Sequence, residues 1–430
     1  MYTPLTRQEK IAVRKLFTPW QCGNLNLKNR FFRAATWLAA CGENGQATAV
    51  SASRQLEVAQ GGASLVISEY AAVEESSLLA PRMWGLFDES QIAPLTSLTE
   101  SIHKAGSYFF VQLVHLGDIA TTTDTDIERI VKAFARASSI AKAGGADGIE
   151  IHAAHGFLLN QFMSPILNKR DDNWGGDEQR RLNFTKAVIR AIRSTVGVDY
   201  PVWAKFSIGE GVEGGYTEDD GVRMAINLLD EGLDGIEISC GSPRSEKSKR
   251  PCMVGVTQAT EAPWSRWAKQ IKQERPNQTV ILTGGLRTLK VIAKLFEDGV
   301  CDAFSLSRPF ICESDLVNRW AEDDDRPSAC ISCNACFKTA KDGAIYCPVM
   351  KDKIEGNIEH KNSSFDFNSI QWNYVPKMNN GYWNISSAIN QILVEGHKNA
   401  NSIAYVIDKV LKMKITYICA ENDTLYICVK

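Results

Sequence analysis

Two histidines, His152 and His155, lie three residues apart in the run His152-Ala153-Ala154-His155. The run directly follows an apolar segment, so both imidazoles can lie at one strand end and point at one small oxygen atom. Two neutral N–H donors there would polarise a carbonyl or nitro group and stabilise the negative charge that develops on it. A metal pair is one alternative, but the sequence shows no third ligand for it. Two buried structural histidines are the other alternative.

Eight short apolar runs recur along the chain, and their β-branched and aromatic residues predict buried parallel strands. They are Phe31–Ala35, Leu65–Glu69, Tyr108–Leu113, Gly148–His152, Val202–Phe206, Gly235–Ser239, Thr279–Thr283 and Ala303–Leu306. Segments with helical periodicity lie between them, such as Ile127–Lys142, Glu178–Ser194 and Thr217–Leu229. Eight alternating units predict an α/β fold, the (β/α)8 TIM barrel, in which residues just past each strand converge on one pocket. A doubly wound open sheet is the alternative.

The composition predicts three parts: a barrel domain over residues 1–326, a small Cys-rich extension over 327–354 and a tail over 355–430. The barrel itself runs from about Leu16 to about Arg326, somewhat longer than the usual roughly 250 residues. The final 76 residues contain 11 Asn, against 12 in the first 354. This α+β tail is expected to hold a helix at Ser386–Val410 and a hairpin of Ile415–Ala420 with Thr424–Val429. No chemistry is assigned to it.

Charge and hydropathy narrow the class of partner. The net charge is −2, and lysine and arginine are dispersed, so neither a nucleic acid nor an anionic membrane is expected as a partner. A small-molecule substrate is expected instead. No charged-then-apolar leader and no run of 18 apolar residues occurs, which predicts a cytoplasmic protein. The chain has 12 cysteines, and in a reducing compartment a cluster of them is better explained by metal binding than by disulfides.

The segment after the fourth predicted strand is long and specific in its motifs. It reads His152-Ala153-Ala154-His155-Gly156-Phe157-Leu158-Leu159-Asn160-Gln161-Phe162-Met163-Ser164-Pro165, then Asn168-Lys169-Arg170-Asp171-Asp172 and Trp174-Gly175-Gly176. Further motifs are Leu27-Lys28-Asn29-Arg30, Gln112-Leu113-Val114-His115-Leu116-Gly117, Thr283-Gly284-Gly285 and Ser307-Arg308-Pro309-Phe310. Together they resemble the Old Yellow Enzyme family of NADH:flavin oxidoreductases, over residues 16 to about 325.

The resemblance implies FMN at the mouth of the barrel, reduced by NAD(P)H and reoxidised by an enone, quinone or nitro compound. It assigns cofactor contacts to Ala35, Thr36, Tyr70, Gln112, Lys205, Gly284, Gly285, Ser307 and Arg308. Gln112 offers amide groups to the pyrimidine edge of the flavin, and Lys205 offers a positive charge near N1 and O2. Thr36 would hydrogen-bond O4, while the glycines and Arg308 would hold the phosphate. The alternatives are ordinary structural roles, such as an ion pair of Arg308 with Asp302.

Three departures from the family pattern bear on the activity. Many members have Tyr where this chain has Phe157, and that phenol is the usual proton donor to substrate carbon. Asp118 stands where Arg is common, and Lys205 stands where Arg is more frequent, which keeps the charge and loses the fork geometry. We therefore expect quinones and nitro compounds to be better acceptors than enones, unless another residue such as Tyr70 donates the proton.

Four cysteines, Cys330, Cys333, Cys336 and Cys347, follow the predicted barrel with the spacing C-x2-C-x2-C-x10-C. This spacing suits a 4Fe–4S cluster or a zinc site, with thiols that bind no metal as the alternative. It resembles the cluster motif of the 2,4-dienoyl-CoA reductase and trimethylamine dehydrogenase branch. The tail is too short for the nucleotide-binding domains of that branch. An electron-transfer or noncatalytic flavoprotein feeding a partner is therefore the second interpretation, and a flavin-free aldolase-type barrel, disfavoured because no Schiff-base lysine is evident, is the third.

Overall fold

A computed structural model describes residues 4–244 and 261–350, together with the backbone of three short strands near the carboxyl end. The chain divides into two compact units, Met1–Tyr346 and Cys347–Lys430. The first unit contains the barrel. The predicted boundaries at residues 326 and 354 stay predictions.

The first unit is built around eight parallel strands. In chain order the strands of this unit are β1 (Trp20–Cys22), β2 (Leu25–Leu27), β3 (Phe31–Arg33), β4 (Leu65–Ala72), β5 (Trp84–Gly85), β6 (Tyr108–Val114), β7 (Gly148–Ala153), β8 (Val202–Ser207), β9 (Gly235–Ser239), β10 (Thr279–Thr283) and β11 (Ala303–Leu306). The ring runs β3-β4-β6-β7-β8-β9-β10-β11 and closes by the pairing of β11 with β3. The predicted (β/α)8 TIM barrel is confirmed, and β5 adds a short strand beside β4.

Twelve helices of the first unit lie among the described residues. They are α1 (Arg7–Leu16), α2 (Ala49–Gln60), α3 (Ile92–Lys104), α4 (Asp124–Ala143), α5 (Leu158–Met163), α6 (Glu178–Val196), α7 (Glu218–Asp230), α8 (Ser265–Glu274), α9 (Leu289–Glu297), α10 (Arg308–Cys312), α11 (Leu316–Ala321) and α12 (Ala335–Lys338). Helices α4 and α7 begin at capping boxes, in which Thr123 and Thr217 bond the third residue of their helices and are bonded in return. The three helices predicted from periodicity correspond to α4, α6 and α7, so all three are present.

An apolar layer fills the amino-terminal end of the barrel. Trp203 of β8 packs on Phe110 of β6 and Phe32 of β3, with ring centroids 4.5 and 5.9 Å apart. The antiparallel pair β1–β2 contributes Leu25 and Leu27 to the same cluster. Because this end is packed with large apolar side chains, space for a ligand is left at the carboxyl ends of the strands.

The second unit contains the strands β12 (Trp383–Asn384), β13 (Ile415–Glu421) and β14 (Thr424–Val429). Strands β13 and β14 are antiparallel, which confirms the predicted hairpin. The predicted helix at Ser386–Val410 lies outside the described residues. Among the described helices, none is both long and apolar enough to cross a membrane.

Candidate active site

A cavity of about 510 Å³ lies at the carboxyl ends of the barrel strands. That volume is within the range of small-molecule sites. Ten of the eleven residues predicted for the site line it: Ala35, Thr36, Tyr70, His152, His155, Lys205, Gly284, Gly285, Ser307 and Arg308. Gln112 is fully buried and does not form part of the cavity wall. These ten residues come from six different strand ends and meet in one place, as the barrel topology requires.

The two histidines stand side by side in this wall, with ring centroids 5.0 Å apart. Nδ1 of His152 accepts the backbone N–H of Ala154 at 3.3 Å, so Nε2 of His152 carries the proton. His155 Nε2 lies 2.7 Å from the Ser239 hydroxyl. If Ser239 donates to that nitrogen, Nδ1 of His155 carries the proton, and each imidazole offers one N–H donor. Two N–H donors at the cavity wall suit an electron-rich oxygen.

Both imidazoles are held neutral. Burial, together with the nearby His155 and Lys205, lowers the pKa of His152 well below its ordinary value. Burial and the Lys205 charge lower the pKa of His155 to about 3. His155 also has a positive φ of 63°, a strained backbone conformation for a residue other than glycine. The backbone conformation of His155 thus sets where its ring lies, and burial beside Lys205 keeps that ring neutral.

Aromatic rings continue the wall beside the histidines. Phe157 stands edge-on to His152 and to Tyr70, with centroid separations of 4.6 and 5.6 Å. Burial and the Glu69 charge raise the pKa of Tyr70, so its phenol keeps its proton. Tyr70 thus supplies a hydroxyl group to a wall in which Phe157 supplies none.

Lys205 reaches the cavity from β8 and is paired behind it. Its Nζ lies 2.8 Å from Glu237 Oε2 and 3.5 Å from Glu150 Oε2. Burial alone would lower the pKa of Lys205, but the two carboxyl groups outweigh burial and raise it. Lys205 therefore stays protonated, which removes the nucleophilic amine that an aldolase-type Schiff base needs. We call Glu150, Lys205 and Glu237 the buried triad.

The residues around Gln112 fit a flavin. Gln112 Nε2 donates to Glu150 Oε2 at 2.5 Å, and Gln112 is the register partner of both Tyr70 and Glu150. Its Oε1 is buried and has no hydrogen-bond partner among the described residues. A buried acceptor without a partner is costly, and the pyrimidine edge of an isoalloxazine ring carries an N–H that suits it. The donor set of this site is therefore compatible with FMN.

The opposite end of the cavity is formed by the loops after β10 and β11. Gly284 and Gly285 have φ values of 101° and 74°, which glycine adopts readily. Thr36 Oγ1 bonds Ala34 O at 2.9 Å and Ser307 Oγ at 2.8 Å. Arg308 does not use Asp302 as its partner, since its Nη1 donates to Asn334 Oδ1 at 2.7 Å. This end combines backbone N–H groups with a guanidinium group.

The four predicted cysteine ligands are not shown to form a metal site. Among the described residues, no group of three or more His, Cys, Asp or Glu side chains is arranged to hold a metal ion. Cys330, Cys333 and Cys336 belong to the first unit and Cys347 to the second. Cys336 lines the cavity.

Several residues of the site escaped the sequence analysis. Trp37, Trp264, Ser239 and Thr283 also line the cavity. Glu150 and Glu237 are buried behind the cavity wall. The sequence contains a feature that could have pointed to both of them. The pentapeptide Asp-Gly-Ile-Glu-Ile occurs twice, at residues 147–151 and 234–238, and places a carboxylate inside an otherwise apolar strand each time.

Comparisons with known proteins define the class. The model of the NADH:flavin oxidoreductase / NADH oxidase family matches residues 15–124 and 119–326. The chain belongs to this family.

Two relatives and two solved structures illustrate the similarity. The chain is 29% identical to an NADH oxidase of Thermoanaerobacter brockii over 348 residues, 74% of the chain and 52% of that protein, so it spans about half of that relative. It is 27% identical to a 4,4'-dithiodibutanoate disulfide reductase of Rhodococcus erythropolis, over 76% of the chain and 93% of that protein. A 2-naphthoyl-CoA reductase structure matches with a TM-score of 0.70 at 23% identity, over 77% of this chain and 56% of that chain. A morphinone reductase structure matches with a TM-score of 0.59 at 22% identity, over 71% of this chain and 90% of that chain. These structures show the fold.

Proposed function

We propose that this chain is an FMN-dependent NAD(P)H oxidoreductase that reduces small electron-poor acceptors at one site. One observation carries the proposal: eight of the nine residues expected to contact FMN line a single cavity, beside a histidine pair that is held neutral. Bound FMN would supply hydride chemistry, accepting hydride from NAD(P)H and passing it to the acceptor. Gly284, Gly285, Ser307 and Arg308 would hold the phosphate.

The chain's own groups have separate tasks in this scheme. His152 and His155 bind the oxygen of the acceptor and stabilise its developing charge by two N–H donors. Gln112, whose Oε1 has no partner among the described residues, would hydrogen-bond the pyrimidine edge of a bound flavin. Enones need a proton at carbon after hydride transfer, whereas quinones and nitro compounds do not need a protonated carbon. Phe157 provides no proton, so we expect the acceptors that do not require one to be favoured.

The first experiment is purification under native conditions followed by absorbance spectroscopy. We expect a yellow protein that releases FMN on denaturation, because every contact proposed here between the chain and FMN is noncovalent. Anaerobic mixing with NADH and with NADPH should bleach the flavin, and a panel of enone, quinone, nitro compound and disulfide should restore it. The disulfide is included because the Rhodococcus relative bears that name. A colourless protein that takes up no FMN contradicts the proposal.

A second candidate is an electron-transfer flavoprotein that passes electrons through a cysteine-bound metal to a partner. It is favoured by the position of Cys336 on the wall of the cavity. Metal analysis after anaerobic purification tests it: iron and sulfide, or zinc, at one site per chain would support the 4Fe–4S or zinc interpretation. A cytoplasmic location and a small-molecule substrate remain part of the leading proposal.

A further inference from the structure

The buried triad places more carboxyl groups around Lys205 than one ammonium can balance. Glu150, Lys205 and Glu237 are each 3% exposed or less. Strand register explains their meeting, since Lys205 pairs directly with Glu237 across β8 and β9. Buried charges are expensive unless paired, so two ionised carboxylates with one ammonium would be an unstable arrangement.

The contacts of the two carboxyl groups differ. Glu237 has the shorter contact with Lys205 and also accepts from the Ser305 hydroxyl at 2.5 Å. Glu150 has the longer contact with Lys205, and its Oε1 is buried without a partner in the described part of the chain. Both carboxyl groups contact the same ammonium, through Glu237 Oε2 at 2.8 Å and Glu150 Oε2 at 3.5 Å. Two carboxyl groups held at one buried ammonium oppose each other's ionisation, so a proton on one of them stabilises the arrangement.

The position of that proton follows from the surroundings. Burial and the neighbouring Glu237 raise the pKa of Glu150 well above its ordinary value. Burial opposes ionisation of Glu237 as well, but the Lys205 ammonium and the hydrogen bonds hold its pKa below the ordinary value. The other titratable groups that interact with the triad in the described residues are His152 and His155, both neutral. The triad therefore has no net charge.

We propose that the buried triad is a proton-coupled charge balance for the cofactor. Glu150 and Glu237 share one proton while the flavin is oxidised, and they take up a second proton when it is reduced. This inference rests on the proposed function, because it needs a bound flavin beside Lys205. It changes the role expected for Lys205, which acts as a donor in a neutral group and not as an isolated positive charge.

Reduction of the flavin would be accompanied by uptake of one proton at the buried triad. With FMN bound beside Lys205 as proposed, hydride from NAD(P)H would bring two electrons and one hydrogen nucleus and would add one negative charge near this ammonium. That charge competes with Glu237 for the ammonium, so the proton affinity of Glu237 rises. A solvent proton then forms an O–H bond on Glu237, and no bond of the protein breaks. On reoxidation the hydride leaves to the acceptor, and the proton returns to solvent or to the reduced acceptor.

The test is the pH dependence of the flavin midpoint potential in the full-length holoprotein, titrated with a chemical reductant. For a two-electron couple each tenfold change in concentration shifts the potential by about 30 mV. At the alkaline end of the range in which the protein is folded, wild type should show a slope of about 60 mV per pH unit, twice that value, because two protons accompany two electrons. The double variant Glu150→Gln/Glu237→Gln should show about half that slope, since no carboxyl group remains to take the second proton.

Glu69→Gln is the matched control. Glu69 is another fully buried carboxyl group on a barrel strand with a raised pKa, chiefly through burial, but its partners are Ser51, Cys41 and Leu38. This variant should keep the wild-type slope. If the double variant does not fold, infrared difference spectra of wild type and Glu237→Gln give the same information. Reduction should create a carboxylic acid signal in wild type that Glu237→Gln lacks.

A wild-type slope equal to that of one proton, or equal losses in Glu69→Gln and the double variant, overturns the inference and leaves the proposed function intact. Absence of the reduction-dependent carboxylic acid signal in wild type does the same. A protein that takes up no FMN overturns both. The chemical reductant separates the inference from the question of which pyridine nucleotide is used.

Discussion

Phe157 has the position from which a phenol would reach the acceptor, edge-on to His152 at the wall of the cavity. We predict that Phe157→Tyr raises enone turnover and leaves quinone turnover nearly unchanged, because only the enone needs a proton at carbon. General acid assistance contributes about a hundred- to ten-thousand-fold, and the gain should be a sizeable part of that range. Steady-state rates with a matched enone and quinone measure it.

Tyr70 provides the control for that experiment. If wild type already reduces enones as fast as quinones and Phe157→Tyr brings no gain, another residue donates the proton. Tyr70→Phe should then lower enone turnover selectively, since the Tyr70 phenol is protonated and lines the same wall. Unchanged enone rates in Tyr70→Phe would exclude the phenol of Tyr70 as well.

Because the histidine pair is neutral in the folded protein, the free energy of unfolding should depend on pH. The folded-state pKa values lie below the unfolded value, so below about pH 6.5 the unfolded chain binds more protons than the folded one. The free energy of unfolding should therefore fall as pH drops from 6.5 toward the folded pKa, by up to about 1.4 kcal/mol per pH unit for each histidine. Denaturant unfolding of wild type and His155→Gln should show a shallower dependence in the variant. Nitrogen NMR of the imidazoles should find both neutral between about pH 5 and about pH 8.

The sequence predicted residues at or just beyond the carboxyl ends of strands and missed the two carboxyl groups near the middle of β7 and β9. His152, Lys205 and Arg308 were identifiable because residues at the carboxyl ends of barrel strands share one pocket. Glu150 and Glu237 were not, because a carboxylate within an apolar run does not reveal its partner. The register that brings Lys205 beside Glu237 is a long-range property of two strands. The pairing of Arg308 with Asn334 depends on a loop conformation that periodicity does not report.

Among the elements, the loop after β10 makes the sharpest demand on residue type. Gly284 has a φ of 101°, and an added Cβ would lie 3.2 Å from Trp264 Nε1. Gly299 also has a positive φ, 64°, but its added Cβ would meet no atom within 4 Å. We predict that Gly284→Ala and Gly299→Ala both lose about 1–3 kcal/mol of unfolding free energy from backbone strain. Only Gly284→Ala should weaken FMN binding, measured by fluorescence titration of the apoprotein.

Equal FMN affinities in the two glycine variants would show that the phosphate lies elsewhere. A loss of affinity in Gly299→Ala alone would contradict the assignment of the loop after β10, because Gly299 follows α9 and does not line the cavity.

Parts of the family motif that do not reach the cavity stabilise the loop that follows β7. Asn168 Nδ2 donates to Phe162 O at 2.6 Å and to Trp174 O at 2.7 Å. Arg170 Nε donates to Asp172 Oδ2 at 2.9 Å. The segment after β7 that carries the family motif therefore contains residues of the site and also residues that stabilise the loop holding them. Sequence pattern alone does not separate the two, because both need polar residues at fixed spacing.

The strand and helix positions were predictable because buried strands and amphipathic helices have different periods. Three strands have the predicted bounds, and β4 extends to Ala72 where the prediction ended at Glu69. The extension matters because it places Tyr70 within the strand. The short elements β1, β2 and β5 were missed, since two or three residues do not establish a period.

At the scale of the whole molecule, the tail should be dispensable for flavin chemistry. The ring of strands closes with β11 at Leu306, and the described barrel is complete within the first unit. We predict that truncation after Ile354 leaves FMN occupancy and NAD(P)H oxidation unchanged, measured by absorbance and by stopped-flow bleaching of the flavin. Insoluble or flavin-free truncated protein would mean that the tail is needed to hold the barrel together.

Closure of the ring joins segments that the ribosome makes at very different times. Phe31 of β3 pairs with Phe304 of β11, and Leu5 N donates to Asp325 Oδ2 at 2.9 Å. At about 5–20 residues per second, synthesis of the intervening chain takes roughly 15–50 s. During that interval β3 has no partner on one side, and the growing sheet carries an open edge able to pair with another chain. Translation speed and chaperone supply should therefore affect the yield of this protein more strongly than its final stability does.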